Sequence, residues 1–154
     1  MLINMSFKKL IDETASSSPA PGGGSISALA GAQAAALICM YCSLTMGKKK
    51  YSSVEKLMQQ THLEASRFKE ELLELVDEDA NSFKAVMAAF NMPQDTEEAK
   101  EKRKAAIQES LQTAAEVPLK VSKRCLQLLQ LARELCGQGN QNALTDLAVA
   151  NLQA

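Results

Sequence analysis

Asp79 stands where a helical core stripe calls for an apolar side chain. The stripe runs Phe68, Leu72, Val76, Asp79, Phe83, Val86, Phe90, at spacings of four and three residues, the period of one face of an α-helix. Asp77 and Glu78 point to other faces and are expected to be solvated. A carboxylate on a core stripe is costly to desolvate unless it is paired, hydrogen-bonded or protonated. Such a group is a candidate for acid–base chemistry or for accepting a ligand's N–H groups. A structural Asp, satisfied by a buried Lys or by backbone donors at a helix break, fits the same pattern. Asp146, in NALTDLAVA, is a second candidate. It is the only charge after Glu134 and its neighbours are expected to be buried. A first-turn Asp favoured by the helix dipole is its alternative reading.

Two further stretches carry polar chemistry. PAPGGGS (residues 19–25) is stiff, then permissive: the prolines restrict the approach, and Gly22, Gly23 and Gly24 open backbone conformations closed to other residues. Ser25 follows at a helix start, where free N–H groups can cradle an anion or a polar ligand edge. A plain tight turn is the other reading. No Gly-Lys-Ser/Thr follows, and no strand precedes the loop, so neither a P-loop nor a dinucleotide fingerprint is present. Residues 47–58 hold four Lys and one Glu, whereas residues 59–95 hold eight acidic against three basic residues. The basic spot at Lys48, Lys49 and Lys50 suits a compact anionic ligand, or else is a solvated lysine turn. Cys39 and Cys42 have metal-ligand spacing, but Cys125 and Cys136 lie eleven apart and supply no second such pair. The expectation is no metal, with the thiols as small buried hydrophobes.

The elements that must position these residues are all helical. Ser6 caps a first short helix carrying Phe7, Leu10 and Ile11. A second runs from about Ser25 to Met46 and stops at Gly47. After a KKKYSS turn, a periodic stretch from about Val54 to Phe90 reads as one helix or two collinear ones, ended by Asn91-Met92-Pro93. Asp95 or Thr96 caps the next, which can reach Leu135. Its stripe of Ile107, Leu111, Ala114, Pro118, Val121, Cys125, Leu128, Ala132 and Leu135 passes through Pro118, which predicts a kink. Gly137 and Gly139 stop it, and Asn140 or Asn142 caps a final apolar segment.

From Ser16 to Gly47 no charged residue occurs over 32 positions. A membrane span needs about 20 predominantly apolar residues; this helix has the length but, with Ser, Thr, Gln and many Ala, is expected to lack the hydrophobicity. Its small residues let neighbouring backbones approach closely, and a helix apolar all round must be covered all round. A subunit partner is therefore expected to help cover it. The whole, 154 residues with 46% apolar and 4% aromatic residues and a net charge of −1, predicts one all-α domain, a helical bundle around a central uncharged Ala-rich helix that forms a dimer. That balance lacks the dense basic face of a nucleic-acid binder. The charged, amphipathic start has no signal-peptide pattern, so a cytoplasmic protein with free thiols is expected.

Taken together, PAPGGGS, the Ala-rich helix after it, GKKKY (47–51), DEDANSFKAVMAAF (77–90), AAEVPLKV (114–121) and GNQNALTDLAVA (139–150) resemble the cyclodeaminase/cyclohydrolase family. Its members are the C-terminal domain of formiminotransferase-cyclodeaminase and stand-alone bacterial methenyltetrahydrofolate cyclohydrolases. The resemblance implies an all-helical fold, a homodimer or larger homo-oligomer, and a tetrahydrofolate substrate carrying one carbon at N5 or between N5 and N10. It implies no separate cofactor, no nucleic acid and no membrane. The reaction is then hydrolysis of 5,10-methenyltetrahydrofolate to 10-formyltetrahydrofolate, or cyclising deamination of 5-formiminotetrahydrofolate to the methenyl form plus ammonia. A non-catalytic folate-binding or scaffold relative is the alternative. Both reactions pass through a tetrahedral carbon, for which a carboxylate can move protons. Asp79 and Asp146 are the expected catalytic pair, one moving protons and the other holding the pterin amino and N3–H edge, in either order. By the same resemblance Gly22, Gly23, Gly24, Ser25 and Asn142 contact substrate, Lys48, Lys49 and Lys50 offer charge to a glutamate or polyglutamate tail, and Tyr51 offers a stacking surface. The family domain usually continues beyond the point matching Ala154, so the chain is expected to be short at its C-terminus.

Overall fold

The computed structural model of the protein describes residues 1–154 and contains five α-helices and no strand: α1 Phe7–Thr14, α2 Gly23–Thr45, α3 Glu55–Phe90, α4 Glu97–Leu135 and α5 Leu144–Gln153. The caps follow from local chemistry. The Ser6 hydroxyl accepts the Lys9 N–H at 3.3 Å and Thr96 Oγ1 accepts that of Ala99 at 3.1 Å, each satisfying a first-turn donor that has no partner within the helix. Gly47 and Gly137, with φ of +72° and +76°, take the left-handed conformation that ends α2 and α4. Asn140 caps the turn Gln141–Ala143 by accepting the Asn142 N–H. The stretch read as one helix or two is the single helix α3. α4 is assigned as one helix through Pro118.

The chain divides into two compact units. Unit 1 comprises residues 1–26 and 75–120, and unit 2 residues 27–74 and 121–154. In unit 2 the α2 residues Ala28, Ala32, Ala34, Ala35, Ile38, Tyr41 and Cys42 are buried, as are Phe68 and Leu72 of α3 and Leu128, Ala132 and Leu135 of α4. The small residues of α2 do what their size predicts. A Cβ on Gly31 would sit 2.9 Å from the Cys125 sulfur and 3.3 Å from a Leu72 methyl group, so these two side chains pack directly against the α2 backbone at a place with no room for a side chain. Phe68 is buried, with the guanidinium groups of Arg67 and Arg124 each 5.1 Å from its ring. Arg124 is further held by Glu71 and Gln127.

The polar joint of unit 2 centres on Tyr41. Its hydroxyl accepts the Gly139 N–H at 2.9 Å and donates to the Leu135 carbonyl at 3.2 Å. Thr45 Oγ1 donates to the Tyr41 carbonyl and accepts the Asn140 N–H. The Gly139 and Asn140 N–H groups of the turn after α4 are thereby paired by side chains of α2, and a Cβ on Gly139 would fall 2.5 Å from Thr45 Oγ1.

Several expectations need correction. Within unit 1, Val76 and Val86 are buried but Phe83 and Phe90 are 40% and 44% exposed, and Leu75, Ala80 and Ala89 join the core instead. Leu111 and Pro118 are also exposed, and Val117 takes the buried position. In α1 only Leu10 is buried. Periodicity finds the apolar face of a helix, but whether that face is covered depends on which elements reach it. In unit 2, α2 leaves Gln33, Ala36, Met40 and Leu44 exposed, so it is not covered all round. By length and composition α2 is apolar enough to cross a bilayer, contrary to the expectation above, and half of its most apolar stretch is buried in the protein. Cys136 is exposed rather than buried.

Tyr41→Phe leaves the Gly139 N–H without its partner, while the Leu135 carbonyl keeps the Gln138 N–H, and is expected to lower stability in urea unfolding by about 1–3 kcal/mol. The thiols give a pH test. Burial pushes the Cys42 thiol up from its ordinary 9.0 to about 12 and raises Cys39 and Cys125 as well. Below pH 9 both folded and unfolded states keep the Cys42 proton. Between pH 9 and 12 the unfolded state loses it first, so stability falls as pH rises through that window. The urea midpoint is expected to drop there, less steeply in Cys42→Ala, and alkylation of the native protein is expected to label Cys136 ahead of Cys42.

Candidate active site

Unit 1 brings together three of the residues singled out from sequence. α2 begins at Gly23, and Gly24 and Ser25 form its first turn, where backbone N–H groups lack helical acceptors. The Gly22 carbonyl accepts the Ile26 N–H at 3.1 Å and closes that turn. Asp79 of α3 faces it. The Ser25 hydroxyl, on a fully buried residue, donates to Asp79 Oδ2 at 2.8 Å, and a Cβ on Gly24 would lie 2.6 Å from the carboxylate carbon. The carboxylate therefore rests on the bare backbone of a helix start, whose partial positive charge favours an anion there. Asp79 itself is half-buried. Its desolvation is offset by the hydroxyl and the helix end, and no buried Lys takes part.

The rest of the predicted site divides by place. Gly22 and Gly23 have open space around them, with nothing within 4 Å of a built Cβ. In unit 2, Lys48, Lys49 and Lys50 are exposed beside the turn Lys49–Val54, and the Lys50 ammonium lies 5.2 Å from the centre of the half-buried Tyr51 ring. Asn142 is exposed and spends its N–H on Asn140 Oδ1. Asp146 is half-buried in the first turn of α5 and takes part in no side-chain hydrogen bond or ion pair. Cys39 donates its S–H to the His62 carbonyl at 3.6 Å, and no group of three or more His, Cys, Asp or Glu side chains is placed to hold a metal ion.

The sequence reading missed Asp77. It is half-buried, not solvated, and its Oδ1 accepts the Leu2 N–H at 2.5 Å. With Ala80, Asn81 and Lys84 it lines a cavity of about 350 Å³ in unit 1, whose other wall includes Ser18, Pro19 and Ala20. The signal was available: positions 77, 81 and 84 recur at four and three residues, one helical face, and this face is polar. Glu78 does behave as a surface carboxylate, paired with Lys120 at 2.7 Å.

Close approach at residue 24 gives a paired test. Gly24→Ala drives a methyl group into the Asp79 carboxylate and is expected to cost about 1–3 kcal/mol. Gly23→Ala, one residue earlier in open space, is expected to be neutral or slightly stabilising. Thermal unfolding of the two variants against the parent chain measures the contrast.

The family model described as formiminotransferase-cyclodeaminase matches residues 6–154. A methenyltetrahydrofolate cyclohydrolase of Methylorubrum extorquens is 40% identical over 151 residues, which are 98% of this chain and 73% of that protein. A formimidoyltransferase-cyclodeaminase of Rattus norvegicus is 35% identical over 97% of this chain, and the match spans only 28% of that longer protein. Among solved structures, a formiminotetrahydrofolate cyclodeaminase of Thermotoga maritima superposes with a TM-score of 0.85 at 27% identity, covering 99% of this chain and 74% of the other. The chain belongs to the formiminotransferase-cyclodeaminase family.

Proposed function

We propose that the protein is a folate one-carbon enzyme that acts on the carbon between N5 and N10 of tetrahydrofolate, and that its reaction is hydrolysis of 5,10-methenyltetrahydrofolate to 10-formyltetrahydrofolate. The observation that carries this choice is the 40% identity to a methenyltetrahydrofolate cyclohydrolase over nearly the whole chain. Cyclising deamination of 5-formiminotetrahydrofolate, the reaction of the other relatives' names, uses the same tetrahedral carbon and is the second reading, favoured by the fold match to a cyclodeaminase.

In this proposal Asp79 moves the protons. The methenyl carbon is already cationic, so water needs only a base to add to it. As the new C–O bond forms, Asp79 Oδ1 accepts a proton from the water; Oδ2 remains held by the Ser25 hydroxyl. The tetrahedral intermediate collapses when the C–N5 bond breaks. N5 takes the proton back from Asp79, and the hydroxyl on carbon loses its proton to solvent as the formyl C=O forms. A positioned carboxylate in such a role contributes typically 10²–10⁴-fold. Ser25 is in this account the residue that orients the carboxylate, a change from the direct substrate contact expected of it. Lys48, Lys49 and Lys50 are proposed to attract the carboxylates of a glutamate tail, an interaction that salt weakens. A homodimer is proposed in which a second copy covers the exposed α2 face of Gln33, Ala36, Met40 and Leu44.

Loss of methenyltetrahydrofolate absorbance, compared with buffer, tests the reaction. The protein is expected to accelerate it, and Asp79→Asn, which keeps an oxygen for the Ser25 hydroxyl, is expected to reduce kcat by about 10²–10⁴-fold with the fold intact by circular dichroism. Equal rates for the two proteins would remove Asp79 from the chemistry. Ammonia release from 5-formiminotetrahydrofolate without methenyl hydrolysis would select the second reaction.

A further inference from the structure

The cavity at Asp77 is walled by α3, through Asp77 and Ala80, and by two pieces of chain outside the long helices. One is the N-terminal segment, which contributes Leu2 and Met5. The other is the loop leading into α2, which contributes Pro19 and Ala20. Neither piece is tied down firmly. Residues 1–5 hydrogen-bond among themselves, the Asn4 N–H to the Met1 carbonyl and the Met5 N–H to that of Leu2. Their one hydrogen bond to another element is from the Leu2 N–H to Asp77 Oδ1, at 2.5 Å. The turn Leu2–Asn4 buries none of its own residues. In the loop, Ser18 bonds only to the Ser16 hydroxyl and the Ala20 carbonyl.

That single tie carries a cost. Oδ2 of the same carboxylate has less than 1 Å² of exposed surface and no hydrogen-bond partner. Buried acceptors are nearly always paired, and a charged one left unpaired is expensive. Holding the segment on Oδ1 therefore goes with keeping a charged oxygen away from water. Release gives up one N–H to carboxylate bond, which water replaces on both partners. Opposing terms of similar size are the condition for an opening that is local and far easier than global unfolding.

We infer that residues 1–5 are a strap, latched at Asp77, that opens and closes over this cavity, and that through it Asp77 is a positioning residue for the Asp79 site. Latched, the strap completes the wall to which Pro19 and Ala20 belong. Four residues after Ala20, Gly24 and then Ser25 meet the Asp79 carboxylate. Released, the strap lets water reach Oδ2 and leaves the loop without that side of the wall. The loop is then free to shift: Pro21 is its one buried residue, and Gly22 and Gly23 stand in open space. What the site needs from Asp77 is the acceptor and not the charge. The effect on the reaction rests on the folate reading above, whereas the movement of the strap does not.

A thiol on the cavity wall reads the strap directly. Ala80 lines the cavity and is 4% exposed, so Ala80→Cys places a reporter there, in a chain whose exposed Cys136 is changed to Ser. Buried Cys42 is the internal reference for global unfolding. Labelling by Ellman's reagent is followed on the full chain and assigned by peptide mass. The introduced thiol is expected to react at least about 10-fold faster than Cys42, at a rate that low urea leaves unchanged, the mark of local opening. Asp77→Asn keeps an oxygen for the Leu2 N–H and removes the charge, and a neutral amide costs less to bury, so labelling slows. Asp77→Ala removes the acceptor too. Its labelling is expected to exceed that of Asp77→Asn by at least about 5-fold, the lower end of what a buried hydrogen-bonding partner is worth. Turnover of the methenyl substrate follows the latch: Asp77→Asn keeps the parent kcat, and Asp77→Ala loses at least about 5-fold. An introduced thiol no faster than Cys42, or labelled equally in the two Asp77 variants, would overturn the strap. Equal kcat in the two variants, whether lost or kept, would overturn the positioning role. Absence of turnover in the parent chain would remove the folate reading and leave the labelling to decide the strap.

Discussion

The contact on which the candidate site depends is a carboxylate resting against the start of a helix. Asp79 occupies a position that periodicity reserves for an apolar residue, and it is tolerated because α2 begins opposite it with a glycine and a serine. Each participant constrains the others. Gly24 must lack a Cβ, Ser25 must be buried with its hydroxyl turned toward the acid, and α2 must start within a residue of where it does. A long apolar helix and a loop of prolines and glycines are then parts of one arrangement, which fixes a charged oxygen in a sheltered place. The other oxygen of that carboxylate lies against Gly24, at the place where a Cβ would stand.

The same economy recurs in unit 2 with neutral groups. Tyr41 and Thr45 of α2 satisfy the Gly139 and Asn140 N–H groups of the turn after α4, and Gly139 permits the approach. In both units α2 makes these polar contacts with hydroxyl groups, of Ser25, Tyr41 and Thr45, and none of its own side chains is charged. This explains why a helix with no charged residue can carry specific contacts, and why its composition also satisfies the length and apolarity of a membrane span.

Much of this was legible beforehand, for reasons that differ by element. Helix ends were readable because caps are local: Ser6, Thr96, Gly47 and Gly137 act through the residues beside them. Asp79 was readable because a misplaced charge in a periodic pattern is visible without coordinates. The role of Ser25 was not, since its partner lies 54 residues away and nothing in the local sequence names it. Asp77 was misjudged because helical phase says which way a side chain points but not what arrives to meet it; here the first turn of the chain does. Phe83, Phe90 and Leu111 show the same limit from the apolar side. An apolar face is a property of a helix, whereas burial belongs to its surroundings.

The central claim is that the reacting carbon sits at Asp79. A crystal structure with bound 5-formyltetrahydrofolate, which carries one carbon on N5, tests it most directly. The account predicts that the formyl carbon lies within one water or a hydrogen bond of Asp79 Oδ1, with Ser25 still bonded to Oδ2. A ligand whose formyl group contacts other side chains and leaves Asp79 remote would contradict it, and would reduce the Ser25–Asp79 pair to a helix-start contact that serves folding alone.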